Sequence, residues 1–255
     1  MKRVRVIPVL LMQRGGLVKS VRFKNHKYVG DPINAVKIFN EKEVDEIVLL
    51  DISATSEKRP PNIQQIKAIA SEAFMPLAYG GGVTKLDEVK TLITAGVEKV
   101  VLNTAAHIVP SLISDSARWA GSQSIVASID VKKNFWGRYK VFIQNGIKNT
   151  DTDPVEFAQR MEEEGAGEIF LNAIDRDGTY NGYDETLISA VSNAVRIPVV
   201  ALGGASAIED FSKAIRFGAS AVAAGSIFVF QRPHQAVLIS YPDQEELKEK
   251  LFTKI

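Results

Sequence analysis

Four aspartates stand at or just beyond the ends of short apolar runs: Asp51 after EIVLL, Asp130 after SIVASI, and Asp175 and Asp177 within IDRDGT. A carboxylate at the exit of a buried strand is partly removed from water, which raises its pKa toward the range useful for proton transfer. Asp130 fits that role best, since the run before it is apolar almost to the acid itself. Asp51 is an auxiliary candidate. Asp175 is expected to be structural, in a salt bridge with a neighbour such as Arg176, and Asp177-Gly178-Thr179 reads as a turn or helix cap as well as a site element. Lys19, expected in a loop after the first apolar run, reads either as an anion-attracting group or as a solvated lysine.

A second kind of chemistry lies in the glycines. Gly80-Gly81-Gly82 precedes Asn103-Thr104, and Gly203-Gly204 precedes Gly225-Ser226. Glycines after a strand let backbone N–H groups approach an anion closely, and a following helix N-terminus adds free donors. Tight βα turns would use the same residues. Their duplication, with Asn-Thr in one copy and Gly-Ser in the other, favours two phosphate grips and a ligand carrying a phosphate at each end.

These residues need a scaffold that brings strand ends together. Eight short runs rich in Val, Ile, Leu and Ala recur: Val4 to Leu10, Glu46 to Leu50, Leu77 to Tyr79, Lys99 to Leu102, Ser124 to Ile129, Glu168 to Asn172, Pro198 to Ala201 and Ala221 to Ala224. They lack strict alternation, as parallel strands covered on both sides do, and helical spacing fills the intervals (Ile63, Ile66, Ile69, Ala70; Phe211, Ala214, Ile215). Eight β/α alternations in 255 residues predict an α/β protein, a single (β/α)8 TIM barrel, whose catalytic groups gather at the C-terminal ends of the strands. The halves echo each other at one offset of 122 residues: EIVLLDI (46–52) with EIFLNAI (168–174), MPLAYGGG (75–82) with IPVVALGG (197–204), and AGVEKVVLNTAA (95–106) with FGASAVAAGSIF (217–228). Three matches at one spacing predict two duplicated half-barrels, about 1–122 and 123–240, within one domain spanning 1–255. An insertion from Lys132 to Thr150 reads as a β-hairpin over one mouth, carrying Phe135 and Trp136 outward.

Composition excludes several classes of function. Lys+Arg 31 nearly cancels Asp+Glu 30, so the whole chain presents no broad basic field for nucleic acid or an anionic membrane. Cysteine is absent, which removes disulfides, thiolate metal sites and thiol nucleophiles, and histidines 26, 107 and 234 are not at ligand spacing. No metal and no cofactor are expected. The run Val6 to Met12 behind Lys2, Arg3 and Arg5 is too short for a signal sequence or a span, which predicts a soluble, cytoplasmic protein.

IDRDGT, GGG, LNTAA, EKR after LLDISA, and the second Gly-Gly together resemble the cyclase subunit of imidazole glycerol phosphate synthase, the HisF family, from about residue 3 to 230. In that family ammonia released by a glutaminase subunit crosses the barrel and attacks a doubly phosphorylated ribulose compound. The resemblance implies one phosphate at Gly82, Asn103 and Thr104 and another at Asp177, Gly178, Gly204, Gly225 and Ser226. It makes Asp130 one of two acid/base carboxylates. It also implies an ammonia gate of Arg5, Glu46, Lys99 and Glu168 at the barrel floor, with a HisH-like glutaminase docked at the N-terminal face. Charges placed there can equally form a neutral structural plug.

The resemblance breaks at one place. Where the family has its other catalytic aspartate the sequence has Leu11, in the segment LLMQRG, and Gln13 stands where the family has lysine. A leucine transfers no proton, so the cyclisation itself is expected to be weak or absent. VIPVLLMQRGGLVKS, FKNHKYVGDPINA and FVFQRPHQAVLISYP resemble the second HisF-like copies of bacterial surface-polysaccharide clusters. Those copies imply ammonia delivery to an ATP-using sugar amidotransferase that makes an acetamidino group. Three functions stay open: that synthase role, an imidazole glycerol phosphate synthase cyclase of histidine biosynthesis, and a non-catalytic ammonia conduit or scaffold. The related histidine-pathway sugar-phosphate isomerase also needs an acid at position 11.

Overall fold

The computed structural model describes residues 3–231, 234 and 236–255; Met1, Lys2, Arg232, Pro233 and Gln235, which include part of the FQRPHQ stretch and of the basic start, lie outside the described residues. Twelve strands form the main sheet: β1 Val6–Gln13, β2 Gly16–Val21, β3 Lys24–Gly30, β4 Ile47–Asp51, β5 Leu77–Gly80, β6 Lys99–Leu102, β7 Ile125–Lys133, β8 Tyr139–Ile143, β9 Lys148–Asn149, β10 Glu168–Ala173, β11 Val199–Leu202 and β12 Ala221–Ala224. Eight of them, β1, β4, β5, β6, β7, β10, β11 and β12, pair parallel in that order, and β12 pairs back onto β1 to close the cylinder. The chain therefore forms the (β/α)8 barrel expected of the sequence, and closure leaves these eight strands no free edge.

Helices wrap the barrel: α1 Pro32–Glu41, α2 Ile63–Ala70, α3 Leu86–Thr94, α4 Thr104–Ile108, α5 Ser111–Ala120, α6 Pro154–Glu163, α7 Glu185–Ser192, α8 Ile208–Arg216 and α9 Ser226–Val229. Their starts are fixed by side-chain acceptors that meet the orphan N–H groups of the first turn. Asp31 and Asp153 cap α1 and α6, each followed by a proline whose preset φ suits the first helical position. Asn62 and Asp184 cap α2 and α7. Glu88 accepts from Thr84, and Asp210 from Ser206, ahead of α3 and α8. Every one of these pairs is 122 positions apart, the spacing already seen in the strands.

Strand alternation sorts the apolar residues into two cores. In β1, Val6, Leu10 and Met12 join the large cluster beneath the helices, whereas Ile7, Val9 and Leu11 face the barrel interior with Val48, Ala78, Val101, Val126, Phe170 and Val200. Among the described residues no helix is long and apolar enough to cross a membrane.

The hairpin expected between Lys132 and Thr150 is present as the end of β7 with β8 and β9. A counterpart that the sequence did not reveal stands in the first half: β2 and β3 fold back from the end of β1. Both hairpins rise from the first strand of their half, and 122 positions separate Leu17 in β2 from Tyr139 in β8. The strand β3 carries Lys24, Asn25, His26, Lys27 and Tyr28 in the open, which hides it from any search for apolar runs.

Gly81 has φ +117°, and a methyl there would run into the carbonyl and side chain of Asp51. Gly81→Ala is expected to cost about 2 kcal/mol or more, lowering the melting temperature by about 4 °C or more. Gly137→Ala, at positive φ (+74°) with open space around it, is expected to cost about 1 kcal/mol in the same scan.

Candidate active site

Continuing the inward alternation to the two ends of the strands places the site residues. Arg5, Ile7, Val9 and Leu11 lie on one face of the β1 segment, as do Glu168, Phe170 and Asn172 on β10. The inward face thus begins with a charge at the floor and ends at the mouth.

At the floor the four expected charges meet. Arg5 donates to both Glu46 and Glu168, and Lys99 Nζ lies 2.8 Å from Glu46 Oε2 and 2.9 Å from Glu168 Oε2. Two cations and two anions alternate in a closed ring, with both carboxylates almost fully buried. Burial opposes the charge on Arg5, but the hydrogen bonds and charges of Glu168 and Glu46 outweigh it and hold the guanidinium above its ordinary pKa.

At the mouth lies a cavity of about 600 Å³. Leu11, Leu50, Val101 and Leu202 line its apolar base, and Asp130, Asn172, Asn103, Thr104, Gly82, Asp51, Lys19 and Asp177 supply its polar groups. Asp130 accepts from Asn172 Nδ2 and Asn103 Nδ2, each at 3.2 Å. Burial pushes its carboxyl up to about 7; the Asn172 bond pulls down, the Asp177 charge pushes up, and the Asn103 bond pulls down again. Neither asparagine neutralises the acid, so Asp130 can hold or release a proton near neutral pH.

Lys19 departs from its expected place. It lies in β2, its side chain is 4 % exposed, and its Nζ stands 3.9 Å from Asp177 Oδ1. A solvated lysine is thereby excluded. Its ammonium packs against Gly225, where any side chain would collide with it. The first grip, Gly82, Asn103 and Thr104, opens on the cavity, whereas Gly204, Gly225 and Ser226 lie outside the cavity lining, and Gly178 is pressed against the backbone of Ser20 and Val21. The two sets of matched turn residues therefore differ in access to the cavity.

Asp51 is held by Ser53 N and Oγ, Ala54 N and Arg59, with Arg59 Nη1 at 2.8 Å. That network makes it an anchor for the loop after β4. The anticipated Asp175–Arg176 salt bridge does not form: Asp175 Oδ2 accepts from Lys133 N, and Arg176 Nη1 donates to the carbonyl of Asn181. A backbone donor at the end of the adjacent strand satisfies the acid better than a sequence neighbour pointing elsewhere. Asn172, Arg59 and Gln144, whose N–H donates to Thr104 Oγ1, were not singled out by the sequence. Only Arg59 had a signal, within EKR. Ser20 Oγ, Asn172 Oδ1 and Asp177 Oδ2 are buried without a hydrogen-bond partner among the described residues, all on residues that border the cavity.

A closed barrel with a charged floor and an acid-bearing cavity at its mouth defines a protein of the (β/α)8-barrel class. The profile of the family described as "Histidine biosynthesis protein" matches residues 5–233. A Pseudomonas aeruginosa protein provisionally named imidazole glycerol phosphate synthase subunit hisF2 is 53% identical over 248 residues, covering 97% of this chain and 99% of its own. The Leptospira interrogans protein provisionally named subunit HisF is 46% identical over 99% of this chain and 100% of its own. The imidazole glycerol phosphate synthase subunit HisF of Endomicrobium trichonymphae is 41% identical over 97% and 93%. The chain belongs to the histidine-biosynthesis protein family, in its HisF branch.

The Asp130 carboxyl binds its proton more tightly in the folded chain than in the unfolded one. Its stabilising contribution is therefore full below about pH 4 and is lost as pH rises toward about 7. Asp130→Asn removes that slope. In denaturant titrations, its stability relative to the parent is expected to improve by about 2–3 kcal/mol between about pH 5 and about pH 8, on top of any pH-independent cost of the amide.

Proposed function

We propose that the chain is the ammonia-using synthase subunit of a glutamine amidotransferase, with a HisH-like glutaminase seated on the floor and the acceptor held in the cavity. The observation that carries this is the closed ring of Arg5, Glu46, Lys99 and Glu168 at one end of an apolar lumen whose other end opens beside Asp130. Charge spent at a buried floor is costly, and a neutral plug made of aliphatic side chains would serve stability as well. Ile7, Val48, Ala78, Val126 and Phe170 then form a dry passage in which ammonia keeps its lone pair, protected from protonation in bulk water.

At the mouth, Asp130 is the acid/base group: as the ammonia nitrogen bonds to the acceptor it must shed a proton, and a carboxylate of pKa near 7 accepts one at neutral pH. Gly82, Asn103 and Thr104 hold a phosphate or other anionic end of the ligand, with Lys19 and Asp177 at the opposite side. Gly225 would join them only if Lys19 moved, and Gly178 only if the Ser20–Val21 backbone drew back; Gly204 and Ser226 stand outside the cavity lining. Leu11, on the inward face of β1, supplies no second acid. This favours the finer reading in which ammonia serves an acetamidino-forming, ATP-dependent sugar amidotransferase of surface-polysaccharide synthesis. The names of the HisF relatives favour a second reading, a cyclase of histidine biosynthesis. A non-catalytic conduit is the third.

Turnover of the doubly phosphorylated ribulose substrate with ammonium salt separates them. The parent chain is expected to run on the order of a hundredfold or more below Leu11→Asp. Robust turnover by the parent would establish the cyclase, and none by either chain would leave the conduit.

In the complex reconstituted with glutaminase, Arg5→Ala is expected to let glutamine hydrolysis outrun ammonia use, with Arg5→Lys, which keeps the floor charge, closer to the parent. Unchanged coupling in an Arg5→Ala protein that still melts cooperatively would reduce the ring to a plug.

A further inference from the structure

The two hairpins that overhang the mouth share a property found nowhere else in the chain on that scale. From residue 13 to residue 30, and again from 131 to 150, there is no Asp or Glu, yet these stretches hold ten of the 31 Lys and Arg residues. Asp31 and Asp151 come only after each hairpin has ended, and Asp130, just ahead of the second, lines the cavity instead of the canopy. Lys19 is buried on Asp177, and Arg14, Arg22, Lys24, Lys133, Arg138 and Lys148 are exposed and form no ion pair among the described residues. Elsewhere around the cavity both signs are present, Arg59 paired with Asp51 and Glu57, and Lys58 and Lys85 in the same lining as Glu88. A chain of net charge +1 thus concentrates positive charge on one small face.

That face also carries two of the three most exposed large hydrophobic residues among the described residues. Phe135 and Trp136, at the tip of the second hairpin, are 96% and 81% exposed, and their centroids lie 5.6 Å apart edge to face. Neither lines the cavity. The tip is held by Asn134 Oδ1, which accepts from Trp136 N and Arg138 N, each at 3.0 Å, so the rings stand on a fixed turn. Rigid aromatic anchors surrounded by arginine and lysine are the composition of protein-binding hot spots.

We propose that this basic, aromatic canopy is the docking surface for an acidic protein that covers the barrel mouth, opposite the face where the glutaminase sits. Charge complementarity selects an acidic partner. A membrane would be met by apolar tips on both hairpins, but the corresponding tip of the first is Arg14-Gly15. Single-stranded nucleic acid needs free ring faces for stacking, and the edge-to-face pair covers one of them. What such a partner would receive, ammonia or its product, rests on the function proposed above; the surface itself does not.

The test is photo-crosslinking in the source cells, with a benzophenone amino acid replacing Phe135 or Trp136, and Phe74, exposed and just ahead of β5 at the floor end, as control. One acidic protein is expected to crosslink at 135 and 136 and not at 74. Purified, it should bind the parent chain with an affinity that falls about tenfold or more on raising salt, and about tenfold or more in the Phe135→Ser/Trp136→Ser double variant and in Lys133→Glu/Arg138→Glu. The same preparations are offered vesicles of anionic phospholipid and an oligothymidylate. Binding to either as strong as to the protein, or no crosslink at 135 and 136 while glutamine-to-ammonia coupling remains intact, would overturn the proposal. Loss of coupling through Arg5→Ala is read separately, so a failure of the ammonia route and a failure of this surface give different results.

Discussion

Hydrogen bonding around a closed ring of parallel strands fixes which side chains face the axis, and the rest of the molecule follows from it. With every ladder satisfied from β1 round to β12, no strand can slip by one residue without turning its inward residues outward. Arg5, Ile7, Val9 and Leu11 therefore form a single inward column. So do the columns ending in Asn103, Asp130 and Asn172. The floor ring, the apolar lumen and the cavity base are successive layers of one constraint, and their residues need no loops to place them.

Electrostatics then assigns different work to the two ends. At the floor, opposite charges at hydrogen-bonding distance neutralise one another, so burial of Glu46 and Glu168 is compensated inside the ring. At the mouth, Asp130 receives only amide donors and the repulsion of Asp177, which leaves its proton loosely committed near neutral pH. The same residue type is paired with a cation where Arg59 reaches Asp51 and meets only amides at Asp130.

Much of this was legible because buried parallel strands advertise themselves. The runs Lys99 to Leu102 and Ala221 to Ala224 coincide with β6 and β12, and the ring residues stood at or beside strand starts. The first hairpin stayed hidden because β3 is solvated along most of its length and its pairing to β2 depends on where β1 leaves the barrel. Lys19 was placed wrongly for the same reason: without that hairpin nothing would bury it. Asn172 carried no signal, since an asparagine inside an apolar run acquires meaning only when strand pairing sets it beside Asp130. The matched glycines predicted matched turns, but a lysine reaching in from another strand fills the space beside Gly225, which no local motif can show.

The hairpins also cross. The one arising from β1 lies over the ends of β10 and β12, where Ser20 and Lys19 meet Gly178 and Gly225, and the one arising from β7 reaches back to Thr104 and the carbonyl of Ile52. They touch where Phe23 meets Gly146. Each half of the chain thus roofs its twin, like two forearms folded across one another. Neither half holds a finished chamber by itself, and whatever lifts one forearm disturbs the seat of the other. Access to this mouth is consequently a joint property of both halves.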